Sequence, residues 1–368
     1  MQERIQIMIS ILLVAVLLLI PLSGVKESFQ VQNVEKTAMV KSVGLDHENN
    51  ACISYVQSMI ADSTPRHAQG VIAARAISFA EAEKKAQILA DKYVSFAYSR
   101  HFIFGMRTAQ KGIESAMSFL LSSPILQLSS YLYISEGSAL EMLESISEDE
   151  ISTDEVLSNL NLAGKQEGYY YPLTLLEAAK AMAEKRPFAV PIIGQKEEGE
   201  NTAKKTVPVF KGYAVIQNGK LKTVLGREQS RIYNLLNNRL KRGVFHFQGA
   251  DVKVLKSKSS YSFTFSGHTV NKVQMKISLF CEFADSGMAS LKNDAFVEKI
   301  KSEQYRELIA QINAFLAFLK EKQVDLLNLS HEVQIKSLGK IQPDAAGLSY
   351  ALYSIELLQH FDRSYTLK

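Results

Sequence analysis

Residues 5–22 read IQIMISILLVAVLLLIPL, an apolar run whose only polar interruptions are Gln6 and Ser10. No other feature constrains the fold as strongly. A helix rising 1.5 Å per residue needs roughly 20 apolar residues to cross a hydrocarbon core, so the run is just long enough. No second stretch of comparable length occurs, so the rest of the chain is expected to be a body outside the membrane. Three readings of the run compete: a cleaved secretory leader, a retained anchor and a buried core helix. Cleavage requires small residues at two positions just before the cut. Pro21-Leu22-Ser23-Gly24-Val25 puts Leu22 or Pro21 where one is wanted, which favours retention. Arg4 and the terminal amine precede the run, partly offset by Glu3, and weakly favour an extracytoplasmic body.

At 368 residues the chain exceeds one ordinary core and suggests two or three domains. Its 42 basic and 38 acidic residues nearly cancel, and no Lys/Arg block occurs, which argues against nucleic acid as a partner. Cys52 and Cys281 lie far apart in strand-like segments; two buried thiols are expected rather than one disulfide.

Alternating apolar residues around Gly44-Leu45-Asp46 and Asn49-Asn50 predict two strands joined by a turn. Ser78 and Glu81 form a capping box before a helix with Ala82, Ala86, Leu89, Tyr93 and Phe96 on one stripe. A strand over 101–105, a helix over 113–121, a strand over 129–134 and a short helix over 138–146 follow. Two more capping boxes stand at Ser152/Glu155 and Thr174/Glu177; the second opens a helix that Pro187 closes. The charged stretch 196–207 reads as a linker. Beyond it, Asn218-Gly219 sits between strand-like runs as a two-residue hairpin turn. A helix over 228–242, stopped by Gly243, leads into strands over 244–255, 261–266 and 270–283. Then come a long amphipathic helix over 292–322, a strand over 332–337 and a helical stretch over 347–360. The expected fold class is α+β and multi-domain, with mainly antiparallel sheets each flanked by helices, after the N-terminal hydrophobic helix. The expected divisions are an anchor (1–24), an N-terminal domain (25–195), the linker (196–207) and a C-terminal domain (208–368).

Candidate chemistry is sparse. None of the seven histidines has metal-ligand spacing to another His or a Cys, and His331-Glu332 lacks the second His of a zinc helix. Nucleophile-elbow, phosphate-loop and dinucleotide signatures are absent from the sequence. The acidic stretch 145–155 lacks the ligand pattern of a calcium loop and reads as solvated. Tyr169-Tyr170-Tyr171 reads as packing rather than a stacking platform, and His101 as a strand-end residue bonded to backbone rather than a base. The apolar stripe of the long helix reads first as core. No catalytic, cofactor-binding or metal residue is assigned, and no cofactor is called for.

One ordered series does stand out: Gly44-Leu45-Asp46, SFAEA at 78–82, Arg100-His101, PILQLSSYLYISEGSALEML at 124–143, Pro191-Ile192-Ile193, and Gly212-Tyr213-Ala214-Val215-Ile216 before a hairpin and helix. In order and spacing this series resembles the Ger(x)C family of spore germination proteins. The resemblance implies a non-catalytic C subunit of a nutrient germinant receptor on the spore inner membrane. It also implies two integral-membrane partners, an A-type subunit and a transporter-like B-type subunit. The family carries a lipidated cysteine in an L-S-G-C box. Val25 stands at that place in Leu22-Ser23-Gly24-Val25, so no sulfur is available for a lipid there and anchoring falls to the apolar helix. The C-terminus, with only FDRSYTLK after His360, looks short for the family's closing strand. Two other classes compete: an extracytoplasmic solute-binding module, and a hydrolase whose site is assembled in space.

Overall fold

The structure is a computed structural model. It describes residues 37–361 except 49–50, 61–69, 148–152, 169, 199–204, 241, 248–249, 286–293, 344–347 and 349–350. The expected anchor, Val25 and Ser152 therefore lie outside the described residues.

Strands Thr37–Glu48 (β1) and Ala51–Ile60 (β2) pair antiparallel, and Gly70–Ala76 (β3) adds to β2. Gly44-Leu45-Asp46 lies inside β1 and is not a turn. Helix Phe79–Leu89 (α1) starts where predicted: Ser78 Oγ accepts the Glu81 N–H at 3.2 Å, and Glu81 reaches back to the Ile77 N–H. It stops four residues short of Tyr93. Gln87 bonds both the Lys92 carbonyl and the Val94 N–H, turning Tyr93–Ser95 (β4) into a strand beside β1. His101–Gly105 (β5) is the predicted strand. Met106–Lys111 (α2), not foreseen, and Glu114–Ser122 (α3) lead to Tyr131–Ser135 (β6). Helices Ala139–Ser147 (α4) and Thr153–Glu167 (α5) follow, then Leu173–Thr174 (β7) and Leu175–Ala183 (α6), whose Thr174/Glu177 capping box is complete.

Phe188–Glu198 (β8) and Lys205–Gln217 (β9) form one long antiparallel ribbon, with Glu198 opposite Lys205. The ends of the expected linker, 196–198 and 205–207, are thus strand, held by backbone pairing. Lys220–Leu225 (β10) closes the predicted hairpin, with Asn218 and Gly219 both at positive φ. These strands complete a ten-stranded sheet in the order β10-β9-β8-β6-β5-β1-β2-β3, with β4 beside β1 and β7 beside β6 off that path. The sheet therefore runs on past the expected domain boundary.

The class is mixed α+β with two sheets, but the centre of the large one departs from the antiparallel expectation. β1, β5, β6 and β8 are parallel, because helical crossovers return the chain to the same end before each strand. Helices α1, α3 and α6 cover one face, packing Phe79, Met117 and Leu175 in a core with Phe102, Phe104 and Ile134. The other face carries α4 and α5 over Ile103, Tyr133 and Ile193.

Helix Arg227–Leu236 (α7) ends earlier than expected. Asn238 takes the left-handed conformation there, and Leu240 is buried outside the helix. Gly243–Phe247 (β11), Ala250–Ser266 (β12), Thr269–Asp285 (β13) and Leu352–Phe361 (β14) form a four-stranded sheet in that order. The two strands expected over 244–266 are divided instead into β11 and the unbroken β12. Helix Asp294–Lys322 (α8) shares a core with β13 through Ile300, Leu308, Ile312 and Phe315, as its stripe predicted. Two expectations fail near the end. The strand over 332–337 is helix Leu329–Lys336 (α9), whose first amides are bound by Asp325. The expected final helix is β14, paired parallel with β13 along its whole length.

Candidate functional site

The resemblance placed its most specific residues at 124–143, and their last third lies beside Asp46. β1, β5 and β6 end side by side, with Leu45 opposite Phe104 and Phe104 opposite Ile134. Just past that row, the chain turns at Glu136-Gly137-Ser138 into α4. Asp46, only 7% exposed, accepts the Ala139 N–H at 2.9 Å, and the Gly105 and Leu140 amides also bond to it. A buried carboxylate is placed here by the positive end of α4. Ser138 and Glu141 add a reciprocal cap at 3.1 and 3.2 Å. Gly105 is required: a Cβ there would lie 1.8 Å from Asp46 Oδ1. Gly44 likewise lets β1 approach Ala139, at 2.9 Å from the position of its absent Cβ.

Above this junction opens a groove of about 550 Å³, lined by Asp46, His47, Tyr55, Arg107, Glu136 and Glu141 among others. Burial raises Asp46 to about 6, against the pull of three backbone amides and with the added push of Glu141. Burial lowers His47, with Lys111 adding to the effect, and His47 Nδ1 is buried without a hydrogen-bond partner. Around the rim, Glu48 pairs with Arg75 at 3.1 Å and Glu136 with Lys211 at 3.5 Å.

The second polar centre is enclosed. His101 Nδ1 lies 3.0 Å from the Tyr133 hydroxyl, and Nε2 lies 3.2 Å from Asp154 Oδ1. The latter contact falls outside ideal hydrogen-bond geometry, although the two atoms are buried against each other. It holds Asp154 below the usual carboxylate range, against burial. Asn161 joins the Tyr133 and Tyr170 hydroxyls. Tyr213 makes a parallel link, donating to Asn234 and accepting the Tyr171 N–H at 2.7 Å. With His101, Tyr133 and Tyr170 fully buried, this network fastens α5 to the sheet and offers no surface to a solute.

His101 was expected to bond to backbone, but its partners are the Tyr133 and Asp154 side chains. Tyr170 and Tyr171 are packing residues, and Tyr169 lies outside the described residues. Cys52 and Cys281 are separate buried thiols. No group of three His, Cys, Asp or Glu suited to a metal occurs among the described residues. The Asp46 junction is assembled from three segments and no single motif marks it; the glycines at 44, 105 and 137 are the one local signal of close approach.

Two family models match the chain. "Spore germination protein N-terminal domain" covers residues 30–195, and "Spore germination B3/ GerAC like, C-terminal" covers residues 211–344. The chain belongs to the Ger(x)C family of spore germination proteins. A solved structure described as "Crystal Structure of the GerBC protein" shares its fold at a TM-score of 0.55. That likeness has 13% identity and covers 87% of this chain and 96% of that one. No curated protein sequence matches the chain. Membership supports a role in spore germination, and the family is not known for enzymes. Among the described residues no helix is long and apolar enough to cross a membrane.

Proposed function

We propose that this Ger(x)C protein is a non-catalytic, membrane-associated subunit of a nutrient germinant receptor. It acts on the extracytoplasmic face by docking with two integral-membrane partner subunits. The observation that carries this reading is the match of both family models, one to each half of the chain. The Asp46 junction agrees with it: its buried carboxylate is engaged by backbone amides and holds two segments together. The test is deletion in a spore-former without a redundant paralogue. Germination with specific nutrients should slow, and the protein should co-purify with both membrane subunits. Normal germination of the deleted strain would count decisively against the proposal.

A second reading, a solute-binding module, draws on the groove, whose volume suits a small ligand, and on the unpartnered His47 Nδ1 at its wall. It requires a melting temperature that rises with a particular amino acid or sugar. A flat screen removes it.

A further inference from the structure

The groove sits at the carboxyl ends of the parallel strands; the opposite end has a different surface. Several hydrogen bonds collect one set of segments there. Arg100 N–H bonds the Lys41 carbonyl, Ser130 Oγ the Ser99 carbonyl, Gln127 the Ala97 carbonyl, and Leu176 N–H the Leu128 carbonyl. β4, beside the first residues of β1, and the last turn of α1 reach the same end. From these segments large apolar side chains stand in solvent: Leu89 (62% exposed), Tyr93, Tyr98 (52%), Ile125, Leu128 and Leu176. Cations stand among the rings, with Lys41 Nζ 5.9 Å from the Tyr98 ring centroid and Arg100 exposed beside it. A patch of this kind on one end of a domain signals an interaction surface. Tyrosines, aliphatic side chains and Lys/Arg together match the chemistry of a lipid headgroup boundary.

The chain itself says what lies there. Thr37, the first residue of β1, pairs with Tyr93 inside this patch. Only residues 23–36 separate it from the apolar run 5–22, and they can span at most about 50 Å however they are arranged. We infer that the amino-terminal end of the parallel strands, carrying Leu89, Tyr93, Tyr98, Ile125 and Leu128, is the face that rests on the lipid surface, leaving the Asp46 groove pointing away from the membrane. This inference deepens the proposed membrane association and depends on it.

The test uses the full chain in phosphatidylglycerol-containing vesicles, with single cysteines introduced by Leu89→Cys, Tyr98→Cys and Leu128→Cys. Controls are Ile77→Cys, an equally apolar position (85% exposed) at the groove end, and Lys258→Cys on the open face of the small sheet. Native Cys52 and Cys281 are buried, so an environment-sensitive thiol label reports the introduced site. Lipid carrying a shallow quencher should reduce the signal at 89, 98 and 128 about twofold or more relative to 77 and 258. Flotation of the same samples separates the two possible failures. Protein that floats but is quenched equally everywhere, or most at 77 or 258, overturns the face and leaves membrane association standing. Floating protein with no quenching at any position overturns it too, and points to a protein partner for the patch. Protein that does not float overturns membrane association and the face together.

Discussion

The two sheets meet water differently. In the ten-stranded sheet, β5 is buried at every residue, because helices cover both faces of the parallel centre. In the four-stranded sheet, β13 alternates: Val273, Met275, Ile277, Leu279 and Cys281 are buried, while Lys272, Gln274, Lys276 and Phe280 face solvent. One sheet is thus an interior and the other a wall with one wet side. The difference teaches where substitutions matter. In the first sheet both sides of every central strand carry stability; in the second, only alternate residues do.

Two phenylalanines test that contrast most severely. Phe104 is fully buried in the parallel centre, and Phe280 stands 43% exposed on the wet side of β13. Phe104→Ala should cost about 3–5 kcal/mol in denaturant unfolding, from lost burial and the cavity left behind. Phe280→Ala should stay within about 0.5 kcal/mol. Similar losses at both positions would break the comparison.

The next effect depends on pH. Asp46 titrates near 6 in the fold, above the usual carboxylate range, so the native state holds its proton more tightly than the unfolded chain. Its contribution is full below about pH 4 and is lost as pH rises through 6, a change on the order of 2–3 kcal/mol. Asp46→Asn keeps an acceptor for the Ala139 N–H and should flatten that segment of the stability–pH curve. A variant whose curve still falls between pH 4 and 6 would place the titration elsewhere.

How much of this was legible follows from the same contrast. The strand character of β13 and the 3.6-residue stripe of α8 are local patterns, and both were legible in the sequence. So were the caps at Ser78 and Thr174 and the Asn218-Gly219 turn, where chemistry within four residues decides the outcome. The errors fall where distant pairing overrules local preference. Leu352–Phe361 holds three leucines, a Glu and a Gln, all good helix formers, and becomes strand because β13 offers a parallel edge. Residues 93–95 left the helical stripe to pair with β1, and 196–198 and 205–207, expected as linker, are strand because they pair with each other. The Asp46 junction was illegible because no window of sequence contains Asp46, Gly105 and Ala139 together.

A smaller effect concerns the helices that only the large sheet has on this second face. Thr174 caps α6 through its hydroxyl, and Glu177 returns the bond to the Thr174 N–H at 2.9 Å. Thr174→Ala should lower stability by about 1 kcal/mol, and Thr174→Ser should restore most of it. Amide exchange would then rise first in the opening turn of α6, while the four-stranded sheet stays unchanged.

The smallest effect asks what holds the edge strand of the wet-sided sheet. Lys276 on β13 and Glu356 on β14 form an ion pair at 3.2 Å, and both side chains are about half exposed. Solvent and side-chain entropy reduce such a pair to less than about 1 kcal/mol. The register of β14 has a stronger source: Leu357 turns into the core opposite Ile277, and a one-residue slip would move it to the wet side. Glu356→Gln should therefore change stability by no more than about 0.5 kcal/mol and leave the β13–β14 amide contacts in place by NMR. Loss of those contacts in Glu356→Gln would mean that charge, not burial, fixes this edge. The alternation that separates the two sheets would then not extend to β14.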